Sequence, residues 1–540
     1  MRFHSSVLLS ACLASLSNAY TAHETKPTAT IHGGVVIGTT TSLPSASAVV
    51  NKFLGVPFAA PPTRFSPPED YEKWTHPRNT SSRKPACIQE FAFTQPVLNL
   101  TLSLFNTPAP EESEDCLYLN VFAPSTPAPK GGRAVMFWIY GGGLYFGDSS
   151  IAPYDGSHFA AYEDVIVVAA NYRTNVFGFP SAPSLPLNEN NLGFLDQRKA
   201  LEWVQRNIHA FGGDTSKVTI FGESAGSFSV DALLTSFSAN STPPFRAAIM
   251  ESGQLSYRGS PNVGKPYPDS TPSWNALVTA LNCTAEQSSN ESELDCVRAA
   301  PASSIKAILE SDFLYFFPKQ DNKTLFSNIA ERRKSGSIAR IPILSGTNAD
   351  EGRFIVYSQN NLTAYLQQAL GEGLTEEIVE AVEKQYPVGS EEYPTQYDAL
   401  AAIDTDISFQ CGAALVANDT AEIGTPSWRY LYNASFPNTE GFPDSRAYHS
   451  SEIYSVFSTY PAANSTAAQR ELSSFMRGTW ASFAKEPEAG PGWRAIDAKK
   501  KGAANVAVFT AEQPQKVKMM TQSEVDARCA FWQDILAGDY

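Results

Sequence analysis

The sequence predicts an α/β fold in which helices flank a large, mostly parallel central sheet within a single domain. Two observations carry this prediction. The segments 134–140 (AVMFWIY) and 165–170 (VIVVAA) are continuous apolar runs, as expected of strands that are buried on both faces. Such runs alternate with segments of helical periodicity, which implies parallel strands joined by crossover connections.

The elements can be placed in chain order from their patterns. Residues 57–85 are rich in proline and polar side chains, so we expect irregular surface structure there. A helix near 191–210 is indicated by apolar residues at helical spacing, namely Leu201, Val204, Ile208 and Phe211. The remaining predicted elements are a strand at 217–221, a helix from 225, strands at 246–250 and 341–345, and helices at 360–384 and 467–485.

Composition and charge restrict the class of protein. Of 540 residues, 43% are hydrophobic and 11% aromatic, which is ample material for a large core. The net charge of −15 and the sequence pI of about 5.0 argue against nucleic acids and anionic membrane surfaces as partners. The sequence does not specify an oligomeric state.

The first 19 residues have the pattern of a secretory signal peptide. Arg2 and His4 precede an apolar stretch at 7–16, and small residues follow at 17–19. We place the cleavage after Ala19, so residues 20–540 form the mature domain. The apolar stretch is too short to span a bilayer, and no later run of about 18 apolar residues follows. These features predict a secreted, extracellular protein with no integral membrane association.

Cysteine usage and glycosylation motifs agree with secretion. After loss of Cys12 with the signal, an even number of cysteines remains, namely Cys87, Cys116, Cys283, Cys296, Cys411 and Cys529. Three disulfides are therefore expected, although the sequence alone allows 15 pairings. The sequence contains no CxxC motif and no histidine-rich cluster, so we expect no metal site. Ten Asn-x-Ser/Thr motifs predict a glycosylated surface, at Asn79, Asn99, Asn240, Asn282, Asn290, Asn322, Asn361, Asn418, Asn433 and Asn464.

The segment 222–226 (GESAG) fits the G-x-S-x-G motif between a predicted strand and a predicted helix. In an α/β-hydrolase fold, such a strand-to-helix turn exposes the serine hydroxyl above the sheet. Its small neighbours let the backbone pass close by, and the following helix N-terminus favours nearby negative charge. This context predicts that Ser224 is a catalytic nucleophile.

The candidate base follows by elimination. In this fold the triad runs in the order serine, acid, histidine, and His449 is the only histidine after Ser224. Glu351 follows a predicted strand, where a triad acid is expected. Three other acids compete with it, and spacing alone does not choose among them: Asp350, Asp404 and Asp406.

Three glycines, 141–143, follow the strand at 134–140 and precede the nucleophile in the sequence. Glycines allow backbone N–H groups to approach a substrate oxygen without side-chain obstruction. The N–H of Ala225 is expected to add another donor, which together would form an oxyanion hole.

Nine segments carry a resemblance to a known family: FLGVPF (53–58), EDCLYLNV (114–121), WIYGGG (138–143), NYR (171–173), DQR (196–198), FGGD (211–214), VTIFGESAG (218–226), GTNADEG (346–352) and HSSEI (449–453). Together they resemble the type B carboxylesterase/lipase family, which includes the cholinesterases and certain fungal lipases. The resemblance extends from about Val35 to Trp532.

The resemblance implies roles for individual residues. It assigns Ser224 as nucleophile, Glu351 as acid and His449 as base. Gly142, Gly143 and Ala225 match the residues that donate hydrogen bonds to the oxyanion in family members. Glu223 matches a family glutamate that acts electrostatically at the site. Similarity also implies the disulfides Cys87–Cys116, Cys283–Cys296 and, as in the cholinesterase branch, Cys411–Cys529.

The first cysteine loop departs from the cholinesterase pattern. Cholinesterases carry a choline-binding tryptophan there, whereas the loop from Cys87 to Cys116 contains none. It contains instead an amphiphilic stretch at 97–105 (VLNLTLSLF). Phe354 matches an aromatic residue of the family's gorge. Three further aromatic residues lie where the acyl pocket is expected: Phe313, Tyr315 and Phe316. Core packing is an equally good explanation for these three and for Phe354.

These observations predict a serine hydrolase that cleaves small-molecule or lipid esters through an acyl-enzyme, without a cofactor. One alternative is a triacylglycerol lipase of the same family, with the stretch at 97–105 as a mobile lid. The other is a non-catalytic adhesion protein, since some relatives with this fold lost the serine. The intact serine, acid and histidine argue against that alternative.

Overall fold

An 11-stranded sheet forms the centre of the protein in a computed structural model, which describes residues 26–46, 48–257, 268–284, 292–500 and 503–537. The described residues form fourteen strands, of which β1, β2 and β5 make a separate three-stranded sheet. The strands are β1 (Thr28–Ile31), β2 (Gly34–Ile37), β3 (Thr39–Thr41), β4 (Val50–Pro57), β5 (Arg78–Asn79), β6 (Tyr118–Pro124), β7 (Arg133–Ile139), β8 (Ile166–Ala170), β9 (Gly213–Glu223), β10 (Ala247–Glu251), β11 (Ile343–Asn348), β12 (Ser427–Asn433), β13 (Ala504–Thr510) and β14 (Lys518–Thr521). The signal-peptide prediction and Asn290 lie outside the described residues.

The helices surround the sheet. They are α1 (Val97–Phe105), α2 (Ser157–Glu163), α3 (Asn175–Gly178), α4 (Leu192–Asn207), α5 (Ala225–Ser236), α6 (Thr271–Ala280), α7 (Glu293–Ala299), α8 (Ala302–Asp312), α9 (Ile329–Lys334), α10 (Gly352–Ile355), α11 (Leu362–Leu370), α12 (Glu376–Gln385), α13 (Gln396–Asp404), α14 (Cys411–Glu422), α15 (Ile453–Phe457), α16 (Ala467–Lys485), α17 (Gln522–Val525) and α18 (Cys529–Ala537). A π-helix, Thr405–Gln410, joins α13 to α14.

The large sheet has the order β14-β13-β12-β11-β10-β9-β7-β8-β6-β4-β3, and its centre from β13 to β8 is parallel. Antiparallel strands complete both edges, with β14 at one and β6, β4 and β3 at the other. The predicted α/β class and mostly parallel sheet are therefore confirmed. The carboxyl ends of β7, β9, β10 and β11 meet at one edge, where α/β folds bind ligands.

The predicted elements agree with the structure except at some boundaries. Helix α16 has the predicted bounds, and α4 covers most of 191–210. The predicted helix at 360–384 is two helices, α11 and α12. The break falls at Gly371, whose φ of +61° lies in the left-handed region that ends helices.

The α13–π–α14 stretch, Gln396–Glu422, is the one helix in the described ranges that is long and apolar enough to cross a membrane. Within its most apolar window, 78% is buried inside the protein, as expected of a core helix. Its α13 half contributes to a second apolar core with α11, α12 and Trp532 of α18. The main core fills both sides of the sheet.

Three disulfides lie within the described residues: Cys87–Cys116, Cys283–Cys296 and Cys411–Cys529. These are the pairs that the family resemblance implies. The third joins the start of α14 to the start of α18 across 118 residues of sequence. It therefore holds the C-terminal helix against the π-helix.

Candidate active site

Ser224 lies in a tight turn between β9 and α5, with a φ of +56°. The turn is packed against β7, because a methyl group on Gly222 or Gly226 would lie 2.6 or 2.0 Å from the Ile139 carbonyl oxygen. The Ser224 amide donates a 2.9 Å hydrogen bond to the Glu251 carbonyl oxygen at the end of β10. Two neighbouring strands thus hold the strained serine in place, and its side chain is partly exposed.

The glycine loop after β7 lies directly beside this turn. A methyl group on Gly141 would lie 2.9 Å from Ser224 Cβ and 2.8 Å from Glu223 Oε2. Gly142 and Gly143 have φ values of +102° and +65°, which favour glycine. Ala225 is the first residue of α5, where an N–H has no intrahelical partner. These three residues can supply N–H donors to a developing oxyanion beside Ser224.

His449 and Glu351 are in contact across two loops. His449 Nδ1 lies 2.6 Å from Glu351 Oε2, and Glu351 is fully buried. The other oxygen of Glu351 accepts a 2.7 Å hydrogen bond from the Asn348 amide, which fixes the carboxylate.

The three competing acids have other partners. Asp404 accepts a hydrogen bond from Tyr365 and Asp406 accepts one from Tyr386, both at 2.7 Å. Asp350 faces the Ala447 amide and Arg446. Among the four candidate acids, Glu351 is the one whose carboxylate contacts the imidazole.

Glu223 places a second carboxylate on the imidazole. Its Oε1 lies 3.3 Å from His449 Nε2 and accepts a 2.6 Å hydrogen bond from Ser450. Burial raises the pKa of Glu223 to about 7, although His449 and Ser450 oppose the rise. Burial lowers the pKa of His449, but the charges of Glu223 and Glu351 outweigh it and raise that pKa to about 9. The protonated form of His449 is therefore stabilised by its two carboxylate neighbours.

Aromatic rings enclose the imidazole. Phe354 stacks on His449 with ring centroids 6.5 Å apart, and Phe409 approaches it to 4.7 Å. Phe105, at the end of α1, packs edge-on against Phe354 at 5.5 Å, so the amphiphilic stretch covers the base. Sequence reasoning missed Phe409, because nothing in the pattern marks a π-helix.

The three expected acyl-pocket aromatics lie in different surroundings. Tyr315 packs against Tyr145, with ring centroids 5.2 Å apart, and Tyr145 is next to the glycine loop. Phe313 ends α8 and is 43% exposed, whereas Phe316 is fully buried in the main core. Of the three, Tyr315 is connected to the candidate site, through its contact with Tyr145.

A small, mostly apolar cavity of about 20 Å³ lies near His449. Its lining residues are Leu104, Phe105, Ile151, Pro153, Tyr154, Tyr448, Ser450, Ile453 and Tyr454. The cavity has space for about one water molecule next to Ser450, the partner of Glu223. Within the described ranges, no group of three or more His, Cys, Asp or Glu is arranged to hold a metal ion.

The parallel sheet and the strained serine turn at its carboxyl edge define an α/β-hydrolase. A sequence model of the carboxylesterase family matches residues 25–532, so the chain belongs to the carboxylesterase family. It is accordingly a carboxylic ester hydrolase.

The similar proteins include a cholinesterase and other carboxylic esterases. Acetylcholinesterase from Bungarus fasciatus is 34% identical, over 92% of this chain and 84% of the relative. Para-nitrobenzyl esterase from Bacillus subtilis is 36% identical, over 81% of this chain and 86% of the relative. Liver carboxylesterase 1F from Rattus norvegicus is 31% identical, over 93% of both chains. All three names denote esterases; the first two indicate different alcohols, choline and para-nitrobenzyl alcohol, and the third indicates none.

Proposed function

We propose that this protein is a secreted serine esterase that uses Ser224, His449 and Glu351 on neutral carboxylic esters. The observation that carries the proposal is the position of His449, which bridges Glu351 and Glu223 beside the strained serine turn. A nucleophile, an oriented base and N–H donors within one edge of the sheet suit acyl transfer.

The reaction proceeds through an acyl-enzyme. His449 takes the Ser224 proton as the hydroxyl oxygen attacks the ester carbonyl, while Glu351 holds the imidazole and stabilises its charge. The N–H groups of Gly142, Gly143 and Ala225 bind the tetrahedral oxyanion. His449 then protonates the departing alcohol, and water repeats the sequence to release the acid.

The nucleophile assignment is tested by Ser224→Ala. Turnover of a p-nitrophenyl ester should fall by about 10⁴-fold or more, because the members of a triad act as a unit. The matched control is Ser236→Ala at the opposite end of α5, which should keep wild-type turnover. A serine-reactive phosphonate should label the wild type at Ser224. Labelling at another serine, or unchanged turnover in Ser224→Ala, would refute the assignment.

The composition of the first disulfide loop supports a neutral alcohol group in the substrate. The loop from Cys87 to Cys116 contains no tryptophan on which a quaternary ammonium group could stack. A desolvated cation–π contact contributes about 2 kcal/mol, so its loss corresponds to roughly thirtyfold in specificity. We expect less than about a tenfold preference in kcat/KM for a choline ester over its uncharged isostere with the same acyl group. A larger preference for the cation would place the protein with the cholinesterases.

Lipase activity is a second candidate, and α1 is the observation that favours it. Of its nine residues, Leu100 and Thr101 are buried, while several apolar side chains stay partly exposed above the base. Such a helix could act as a lid at a lipid surface. A steep rise in triglyceride hydrolysis above the substrate's solubility limit would support a lipase, and smooth saturation below it would support an esterase.

Secretion and glycosylation are supported by the surface and the disulfides. The described asparagines of the ten motifs are exposed, apart from the partly buried Asn418 in α14. Three disulfides suit an oxidising compartment. Recovery of the enzyme from culture medium, with a mass that falls after endoglycosidase treatment, is the expected result.

A further inference from the structure

Glu251, a buried residue outside the proposed triad, lies in one row with the site across four parallel strands. The registered row is Glu223, Glu251, Gly346 and Tyr430, on β9, β10, β11 and β12. Registered partners in parallel strands share a face of the sheet. The carboxyl groups of Glu223 and Glu251 are therefore neighbours on adjacent strand ends.

The surroundings of Glu251 leave little freedom for its carboxyl group. Its Oε1 accepts a 2.9 Å hydrogen bond from Trp480 of α16, and the residue is fully buried. A methyl group on Gly346 would lie 2.3 Å from the Tyr430 ring, so this glycine lets the ring extend along the row. The Tyr430 and Trp480 rings are in contact, with centroids 5.0 Å apart.

Among the residues that the structure describes, the groups that face Glu251 include no compensating cation. They are Glu223 from β9, Tyr430 from β12, Glu452 from the segment after His449, and Trp480 from α16. Two adjacent buried carboxyl groups cannot both be ionised without a large electrostatic cost. In agreement, burial and then Glu223 raise the pKa of Glu251 to about 8.

We propose that Glu251 is a positioning residue for the hydrolysis reaction, whose main chain holds Ser224 and whose carboxyl group acts as a neutral acid. The proposal rests on the function proposed above. As a neutral acid, Glu251 lets the ends of β9 and β10 lie side by side while its carbonyl oxygen accepts the Ser224 amide. Ionised, it would repel Glu223 and favour the protonated form of His449, which cannot act as a base.

The test compares Glu251→Gln with Glu251→Ala in the full-length enzyme. Glutamine has the shape of the neutral acid, keeps an acceptor for Trp480 and never ionises. We would measure kcat and KM for a p-nitrophenyl ester from pH 6 to 9.5, with phosphonate titration of competent Ser224 and thermal unfolding of each variant. Glu202→Gln, an exposed glutamate on α4, serves as the matched control.

The expected results distinguish an effect of the charge on Glu251 from an effect of the shape of its side chain. Glu251→Ala should lower kcat by about tenfold while KM changes little, and Glu251→Gln should recover most of that loss. The ratio of kcat/KM for Glu251→Gln over the wild type should rise about threefold or more between pH 7 and 9.5, because only the wild type gains a charge. The Glu202→Gln ratio should stay constant.

Two results would overturn the proposal. One is a Glu251→Gln ratio that stays flat or falls as the pH rises, and the other is a Glu251→Gln kcat no better than that of Glu251→Ala. If Glu251→Ala does not fold, the test rests on the pH dependence of the kcat/KM ratio between Glu251→Gln and the wild type. Absence of phosphonate labelling at Ser224 in the wild type would refute the proposed function itself, which is a distinct outcome.

Discussion

The two halves of the candidate site are built by different means. The nucleophile half consists of the Ser224 turn and the glycine loop, held by backbone contacts between adjacent strands. The acid–base half consists of Glu351 and His449, which lie 98 residues apart in sequence and meet through side-chain contacts.

This difference determines what each half tolerates. In the nucleophile half, glycine positions leave no space for a side chain, so a single added methyl group should disturb the geometry. In the acid–base half, the important quantities are the charges around His449 and the packing of the π-helix that carries Phe409. The two halves should therefore respond to different kinds of substitution.

After Ser224→Ala, the largest effect is expected in the nucleophile half, from Gly142→Ala. The new methyl group would lie 2.3 Å from the Phe146 carbonyl oxygen at a φ of +102°. Loss of one oxyanion donor should lower kcat by about 10²- to 10³-fold, with a smaller change in KM. Gly389→Ala is the control, because it has a φ of +89° with no neighbour within 4 Å. Equal effects of the two variants on kcat would contradict a role at the site.

The second effect in size is a loss of stability on removal of the Cys411–Cys529 disulfide, which lies beside the π-helix. Replacing Cys411 and Cys529 by serine should lower the free energy of unfolding by a few kcal/mol, because this bridge closes a loop of 118 residues. Replacing the Cys283–Cys296 pair, which closes 13 residues, should cost about 2 kcal/mol less in the same model. Chemical denaturation of both double variants gives the comparison. The reverse order would show that strain or local structure dominates loop entropy here.

The smallest effect is a pH shift in the acid–base half. The reaction needs neutral His449, whose pKa is raised to about 9 by Glu223 and Glu351. Removing one carboxylate with Glu223→Gln should lower that pKa, so the rising limb of kcat/KM should move to lower pH by about one unit, or 1.4 kcal/mol. A pH–rate profile for wild type and variant measures the shift. No movement of the limb, or movement to higher pH, would contradict this electrostatic account.

The sequence predicted the nucleophile half better than the acid–base half. The G-x-S-x-G motif and the three glycines are local patterns, since their function depends on the backbone of adjacent residues. For the acid, spacing left four candidates, because only long-range packing brings Glu351 to His449. An unperturbed histidine has a pKa of about 6.5, and the contact with the second carboxylate, Glu223, contributes most to the higher pKa of His449.

Other features had no sequence signal that could be interpreted. Phe409 reaches His449 from a π-helix, which no periodicity marks. Glu251 comes directly after the strand predicted at 246–250, and no strand was predicted around Tyr430. Their shared row depends on the register of four strands, which is set by tertiary packing rather than by local residue preferences.

The position of Asn99 on α1 has a practical consequence. This exposed asparagine belongs to a glycosylation motif and lies on the helix whose last residue, Phe105, covers the base through Phe354. A sugar chain attached there would project from the helix that lies over the proposed site, where it would admit a small dissolved ester but obstruct an emulsion droplet. Enzyme prepared in a host that adds no sugars would then overstate activity on emulsified fat, so the expression host becomes part of any assay of lipase character.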